Sequence, residues 1–239
     1  MRMPITPDGW PIIAAATLIC GAAAAIAVAA GWWPAAIAPT IVWGWAISFF
    51  RDPHRHVVAE PGELLAPADG RVTEVSRVAH DETIGGPAIR VSIFLSIFNV
   101  HVNRAACAGV IRDVHYRKGR FLAAFNPDAG ECNEANTLVV EPDSPLSGPV
   151  VLRQIAGLIA RRIVCRARPG DRLAAGQRFG MIRFGSRTDL IVPDTPGIAP
   201  VVRVGQRVRA GLDVLVRQRR VEKKESVHAP DAGAQAATV

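Results

Sequence analysis

The chain has 239 residues, enough for one or two domains, and its hydrophobic content of 49% with a mean hydropathy of +0.20 is high for a soluble protein. A net charge of +7 and a pI near 10.0 indicate an anionic partner, either nucleic acid or an anionic membrane surface. Aromatic residues are scarce after the first fifty positions, so the alternation of aromatic and basic side chains typical of nucleic-acid binding is missing. We therefore expect no nucleic-acid partner.

The N-terminal fifty residues are predicted to anchor the chain in a membrane. Residues 11–31 carry no charge and are long enough to span the hydrocarbon core as a helix. Trp32, Trp33 and Pro34 fit an interfacial turn, and the second uncharged run, residues 35–50, is short for a full span. The pattern predicts a helical hairpin with one or two spans. A cleaved signal peptide is the alternative, but its charged leading region would be thin and a second apolar run would not follow it.

Basic residues follow the second apolar run. They are Arg51, His54, Arg55 and His56. Positive charge directly after the last span favours the cytoplasmic side. We therefore predict the cytoplasmic (inner) membrane, with the following domain on the cytoplasmic side.

The four cysteines indicate neither a metal site nor a disulfide framework. Cys20, Cys107, Cys132 and Cys165 are widely separated, with no Cys-x-x-Cys pair. Isolated thiols of this kind are consistent with a reducing compartment. We expect no metal.

From about residue 57 the pattern predicts a mainly β domain, because short apolar or alternating runs are broken by Gly and Pro. A weak internal repeat, Gly-x-Arg-apolar-x-Ala-Gly, occurs at residues 170–176 and 205–211 and resembles lipoyl- or biotinyl-type hairpins. Residues 155–165 fit helix or strand equally well. The predicted fold is thus a β-rich α+β domain at residues 51–216, after an anchor at 1–50 and before a disordered tail at 217–239.

A Gly-Ser step ends a strand-like run at Gly185-Ser186. Glycine permits a strained backbone, and a serine hydroxyl beside the preceding carbonyl can attack it once a base removes its proton. An ordinary turn is the simpler interpretation of this dipeptide taken alone.

Six segments in order resemble the short bacterial and archaeal type of phosphatidylserine decarboxylase, over about residues 45–216. They are Phe49-Phe50-Arg51-Asp52-Pro53, Ala66-Pro67-Ala68-Asp69-Gly70, the stretch from Phe94 to Arg104, Gly119-Arg120-Phe121-Leu122, Asn133-Glu134-Ala135-Asn136 and Phe184-Gly185-Ser186-Arg187. The last segment resembles the self-cleavage site of that family, which places the cut between residues 185 and 186.

The resemblance implies that Ser186 becomes a covalent pyruvoyl cofactor, which forms a Schiff base with the amine of phosphatidylserine and accepts electrons as carbon dioxide leaves. The product would be phosphatidylethanolamine, and the two fragments would remain together as a heterodimer. Scarce lysine fits this cofactor, because Lys118 lacks the context of a pyridoxal lysine.

The resemblance also implies roles for Asp69 and His101. Asp69 would belong to the group that activates Ser186, and His101 would be a catalytic histidine. Taken alone, each also fits an ordinary structural role. Longer relatives carry a second histidine three residues on, where this chain has Arg104, so His101 would serve both cleavage and decarboxylation, or the base would differ. His115 is a weaker candidate.

Two other functions compete with the enzyme. A membrane hairpin carrying a lipoyl-like β domain would suit a non-enzymatic adaptor, but no heptad run for the usual coiled-coil insert is visible. A zinc peptidase would need His-x-His spacing, which occurs only at His54 and His56 beside the membrane segment. We therefore predict a carboxy-lyase bound to an anionic membrane surface.

Overall fold

The structure, a computed structural model, describes residues 5–124, 126, 128–146, 148–158, 162–183 and 185–218. Phe184 of the predicted cleavage motif and residues 219–239 of the predicted tail lie outside the described residues.

Two helices follow the two apolar runs at the N-terminus, α1 (Trp10–Ala29) and α2 (Ile37–Phe49). They pack against each other, and the Trp43 indole donates a 2.9 Å hydrogen bond to the Thr17 hydroxyl. Within the described residues, only the helical segment Pro7–Ala29 is long and apolar enough to cross a membrane, and 6% of its most apolar stretch is buried. Helix α2 has 13 residues, about 20 Å, which is short of the roughly 30 Å hydrocarbon core.

The base of this hairpin is packed on the rest of the protein. Phe49 and Phe50, at the end of α2, are almost completely buried in a cluster with Ile13 and Met181. Burying two phenylalanines contributes on the order of 3–6 kcal/mol. The end of α2 is therefore part of the folded domain, while the outer faces of both helices remain exposed.

The described part of the β domain has fourteen strands and one short helix, α3 (Ala129–Cys132). The strands are β1 (Glu63–Leu65), β2 (Gly70–Asp81), β3 (Gly86–Leu95), β4 (Val102–Arg104), β5 (Gly109–Arg117), β6 (Ala135–Pro142), β7 (Val150–Ile155), β8 (Ile163–Cys165), β9 (Arg172–Leu173), β10 (Arg178–Ile182), β11 (Ser186–Pro193), β12 (Ile198–Pro200), β13 (Arg207–Val208) and β14 (Val214–Gln218). The predicted β-rich fold after an N-terminal apolar helix is confirmed.

The strands form one large antiparallel sheet and two small ones. The large sheet has the order β13-β2-β3-β11-β7-β6-β5-β9, and the small sheets are β1-β14-β12 and β4-β10-β8. Strand β11 lies in the middle of the large sheet, between β3 and β7, and nearly all of its residues are buried. The main core, which includes Leu64, Ile93, Leu138 and Leu190, lies between the sheets.

The weak sequence repeat corresponds to a structural duplication. Gly170 and Gly205 have φ angles of +89° and +90°, and Gly176 and Gly211 both have +70°. Each repeat carries a two-residue strand, β9 or β13, at opposite edges of the large sheet. A Cβ on Gly211 would lie 3.3 Å from the Gly176 Cα, so the two Ala-Gly turns pack against each other.

The duplication divides the domain into two halves. Strands β4 to β10 are one continuous half, and β1 to β3 with β11 to β14 are the other, so the first half is inserted between β3 and β11. The ambiguous residues 155–165 belong to this inserted half. They form the end of β7 and the strand β8, with residues 159–161 outside the described part.

Candidate active site

Ser186 is the first residue of β11, and its side chain is completely buried. Its Oγ has no hydrogen-bond partner among the described residues. Leaving a buried hydroxyl unpaired costs on the order of 1–3 kcal/mol, so this serine is a poor choice for a purely structural position. Gly185 before it has a φ of +67°, in the left-handed region that favours glycine. A buried nucleophile thus follows a peptide that only glycine adopts readily.

His101 is also completely buried, and its ring orientation is fixed by the backbone. Its Nδ1 lies 2.9 Å from the Asn99 carbonyl oxygen. Because a carbonyl only accepts, Nδ1 carries the proton and Nε2 presents a free lone pair. Nε2 has no partner among the described residues. The imidazole is therefore arranged as a base.

Burial lowers the pKa of His101 from its usual 6.5 to about 4. The Phe49 ring lies on the imidazole, with the ring centroids 4.1 Å apart, and excludes water from it. The positive charge of Arg51 lowers the pKa further, whereas the Asn99 carbonyl and the charge of Asp69 raise it. His101 is therefore neutral at pH 7 and able to accept a proton.

The topology brings His101 and Ser186 to the junction between the two halves. His101 directly precedes β4, where the inserted half begins, and Ser186 follows β10, where that half ends. The Ile182 N–H donates a 3.3 Å hydrogen bond to the His101 carbonyl. Asn103 lies two residues after His101, and Thr188 lies two residues after Ser186. The Asn103 side-chain amide donates a 3.1 Å hydrogen bond to the Thr188 hydroxyl. Both unpaired groups, His101 Nε2 and Ser186 Oγ, thus belong to one small region.

A row of buried amides supports this region. The Asn136 side chain donates to Gln154, Gln154 donates to Asn103, and Asn103 donates to Thr188, over 3.0, 2.8 and 3.1 Å. All four residues are at least 97% buried. A buried amide without a hydrogen-bond partner costs free energy. This row of hydrogen-bonded side chains therefore fixes the register of β4, β6, β7 and β11 around the serine. Asn103 and Asn136 belong to the matching motifs in the sequence, but their pairing could not be seen there.

Asp69 is held mainly by Arg55. The guanidinium of Arg55 binds both carboxylate oxygens, at 2.6 and 2.8 Å, and the Ala210 N–H donates to the same carboxylate. Among the described contacts Asp69 acts on His101 through its charge, and the imidazole is oriented by the hydrogen bond that its Nδ1–H donates to the Asn99 carbonyl. A role for Asp69 in cleavage stays a prediction.

Arg104, which replaces the second histidine of longer relatives, is a structural link. Its guanidinium binds Asp52 at 2.5 Å and the Gly176 carbonyl at 3.1 Å, so it joins the end of the hairpin to the turn at Gly176. Burial is the main cause that lowers the pKa of Arg104. His115 is exposed on β5, away from these contacts, and His54 and His56 are exposed before β1. Of the histidines considered, only His101 is buried beside the serine strand.

Arg187 is a buried residue of the matching segment to which sequence reasoning assigned no role. Arg187 directly follows Ser186 on β11, and successive side chains of a strand point to opposite faces of the sheet, so Arg187 points away from the Ser186 side. Its guanidinium binds Asp189 at 2.6 Å, Glu74 at 3.1 Å and Ser92 at 2.7 Å. These bonds attach the start of β11 to β2 and β3. Among the described residues, no cluster of His, Cys, Asp and Glu is arranged to hold a metal ion.

A left-handed glycine before a buried, unpaired serine, with a buried neutral imidazole in the same region, is the arrangement expected of a self-processing enzyme precursor. Comparison with known proteins identifies the family. The family model for phosphatidylserine decarboxylase matches residues 44–216, and the chain belongs to this family of carboxy-lyases.

Curated relatives match nearly the whole chain, and their names describe proenzymes. The phosphatidylserine decarboxylase proenzyme of Trichlorobacter lovleyi is 45% identical over 89% of this chain and 96% of its own length. That of Nitrosomonas eutropha is 43% identical over 90% and 95%. The proenzyme of Symbiobacterium thermophilum is 43% identical over 91% and 97%.

Proposed function

We propose that the protein decarboxylates phosphatidylserine to phosphatidylethanolamine and carbon dioxide, using a pyruvoyl group made from Ser186 by self-cleavage. The observation that carries the proposal is the buried, unpaired Ser186 hydroxyl directly after the left-handed Gly185. A cofactor made in place from Ser186 would need no entry path for a separate molecule. The buried position of Ser186, directly after Gly185, therefore fits such a group. The names of the relatives agree with a precursor that is processed.

Cleavage begins when Ser186 Oγ attacks the Gly185 carbonyl carbon. His101 Nε2 is the candidate base for the hydroxyl proton, and the Ser186 nitrogen takes up a proton as its bond to Gly185 breaks, leaving an ester. Removal of the Ser186 Cα proton then breaks the Cβ–Oγ bond. Gly185 leaves as a carboxylate, and the dehydroalanine at position 186 takes up water and loses ammonia to give the pyruvoyl group.

The pyruvoyl carbonyl supplies an electron sink for the carbon that loses carbon dioxide. The rest of the reaction depends on the protein. His101 is the candidate for delivering a proton to that carbon, once Nε2 has taken one up, and the Phe49 ring over it keeps the region dry. Water exclusion strengthens the interactions of the site with a charged headgroup.

The substrate reaches the site from a lipid surface. Helix α1 and the shorter α2 would hold the domain at an anionic membrane, because the end of α2 is packed into the domain beside His101. The excess of basic residues would add on the order of 1 kcal/mol for each Lys or Arg close to the headgroups. We propose the cytoplasmic face, with Arg51, His54 and Arg55 after the last apolar residue.

The two cleavage fragments would remain together as a heterodimer. Strand β11 begins the smaller fragment and is paired on both sides, with β3 and β7. Strands β13 and β14 of the same fragment pair with β2 and β1. Breaking one peptide bond would leave all of these pairings in place.

Intact mass of the purified protein, together with carbon dioxide release from phosphatidylserine, tests the proposed function. We expect two fragments, residues 1–185 and residues 186–239 with a ketone in place of the terminal amine, and turnover of the lipid. A single chain of 25.5 kDa with an ordinary serine at 186 would contradict the proposal and favour the adaptor.

Protease digestion of sealed inverted and right-side-out membrane vesicles tests the location. We expect the β domain to be digested only when the cytoplasmic face is outside, because the basic residues after α2 oppose translocation. Detergent-opened vesicles serve as the control for protease access. Digestion of the domain from the periplasmic side of intact vesicles would show the opposite orientation.

A further inference from the structure

Gly157 lies against the carbonyl group that the proposed cleavage attacks. A Cβ built on Gly157 would overlap the Gly185 carbonyl oxygen and lie 3.1 Å from the carbonyl carbon. Gly157 does not have a left-handed φ, so what this position requires is space rather than an unusual backbone conformation. The residue follows β7 in the inserted half and is buried.

The turn that contains Gly157 is fixed by Asn133. The Asn133 side chain is completely buried and donates to the Ala156 carbonyl over 2.8 Å. It also exchanges two hydrogen bonds with the Leu122 backbone, at 2.8 and 2.9 Å. The Ala156 N–H donates to the Glu134 carbonyl over 2.9 Å. Ala156 is therefore held at its carbonyl by the Asn133 side chain and at its N–H by the Glu134 backbone. The motif at residues 133–136 thus gains a role that the sequence did not assign.

We infer that Gly157, held by Asn133, is a positioning residue for self-cleavage: its missing side chain lets the Gly185 carbonyl take the orientation in which Ser186 can attack it. This inference rests on the proposed function. It adds Gly157, which lies 28 positions before Gly185, in the connection that follows β7. The reason is geometric. A carbonyl pressed away from the hydroxyl by a methyl group loses the alignment that attack requires, and a displacement of about 1 Å can cost on the order of 100-fold in rate.

The test compares Gly157→Ala with Gly130→Ala, each followed by intact mass over time after synthesis. A Cβ at Gly130 would lie 3.8 Å from its nearest neighbour, the Arg187 guanidinium, so alanine is accommodated there. We expect Gly130→Ala to be processed like the wild type and Gly157→Ala to accumulate as precursor, with cleavage slowed on the order of 100-fold. Melting temperature and circular dichroism should match those of uncleaved Ser186→Ala.

Hydroxylamine identifies the blocked step. It attacks the Gly185 carbonyl carbon of the ester, releases the Ser186 hydroxyl and leaves a Gly185 hydroxamate. If Gly157 acts on the attack itself, Gly157→Ala forms no ester and hydroxylamine does not cut it. Cleavage of this variant by hydroxylamine at 185 would overturn the inference, because the ester would then have formed.

Two further outcomes are decisive. If the wild type is processed and Gly157→Ala is processed at the same rate, the inference fails while the proposed function stands; if the wild type is not processed, the proposed function itself fails. Should Gly157→Ala not fold, Asn133→Ala carries the test, since it releases Ala156 without adding an atom at the carbonyl. We expect slower processing of its folded precursor, and wild-type processing would overturn the inference.

Discussion

Ser186→Ala is expected to purify as a single uncut chain with no decarboxylase activity. The variant lacks the hydroxyl that attacks Gly185, so neither the ester nor the pyruvoyl group can form. The fold should persist, because the Ser186 Oγ makes no hydrogen bond to a described residue and its removal leaves no partner unpaired. Intact mass, melting temperature and carbon dioxide release from phosphatidylserine measure the three effects.

Ser76→Ala is the matched control for this variant. Ser76 lies on β2, outside the site, and among the described residues its hydroxyl donates only to Glu74. It should be cut and active like the wild type. Processing of Ser186→Ala between residues 185 and 186 would show that the hydroxyl is not the nucleophile and would remove the basis of the proposed cofactor.

His101→Ala is expected to lose both processing and turnover. General acid–base assistance is typically worth 10²–10⁴-fold, and no second histidine stands at position 104 to replace it. The fraction processed and the turnover per processed molecule should both be measured, because they separate the two roles. If His101→Ala is cut normally and turns over lipid at the wild-type rate, the assignment is wrong, and His115 would be examined next.

The pH dependence of cleavage follows from the depressed pKa of the same residue. With a pKa of about 4, His101 stays neutral as the pH falls from 7 to about 5, so its ability to accept a proton is retained there. Processing by this base should decline only as the pH approaches 4.

Asp69→Asn should leave mostly precursor, because the charge that would stabilise the protonated imidazole is lost. The processed fraction, measured by intact mass, checks this expectation.

Much of the fold could be predicted because its signals are local. Charge-free runs mark the two helices, and alternating runs broken by Gly and Pro mark the strands. The repeat at Gly170 and Gly205 predicted a duplicated hairpin, and the matching φ angles agree with it. Which half is inserted into the other could not be predicted, because strand pairing between distant segments leaves no mark in a single sequence.

The site was less accessible to sequence reasoning. Resemblance points to Gly185, Ser186, Asp69 and His101, but nothing in their spacing shows that β4 and the start of β11 are linked through the Asn103–Thr188 hydrogen bond. The Phe49 ring on His101 comes from a helix interpreted as an anchor, and Gly157 lies in a segment whose secondary structure the pattern left open. Such contacts depend on tertiary packing alone.

If the chain is cut as proposed, the central place of β11 would make maturation a one-way step. The precursor folds as one chain, so β11 finds its place between β3 and β7 in an intramolecular reaction. After the cut, a denatured enzyme would have to rebuild the middle of its sheet from two separate chains, with the cost of association added. Gly157, from the inserted half, lies against the Gly185 carbonyl only when both halves are docked, so the proposed cut would occur only after folding was completed. By this proposed route, activity would appear only in a protein that had finished folding.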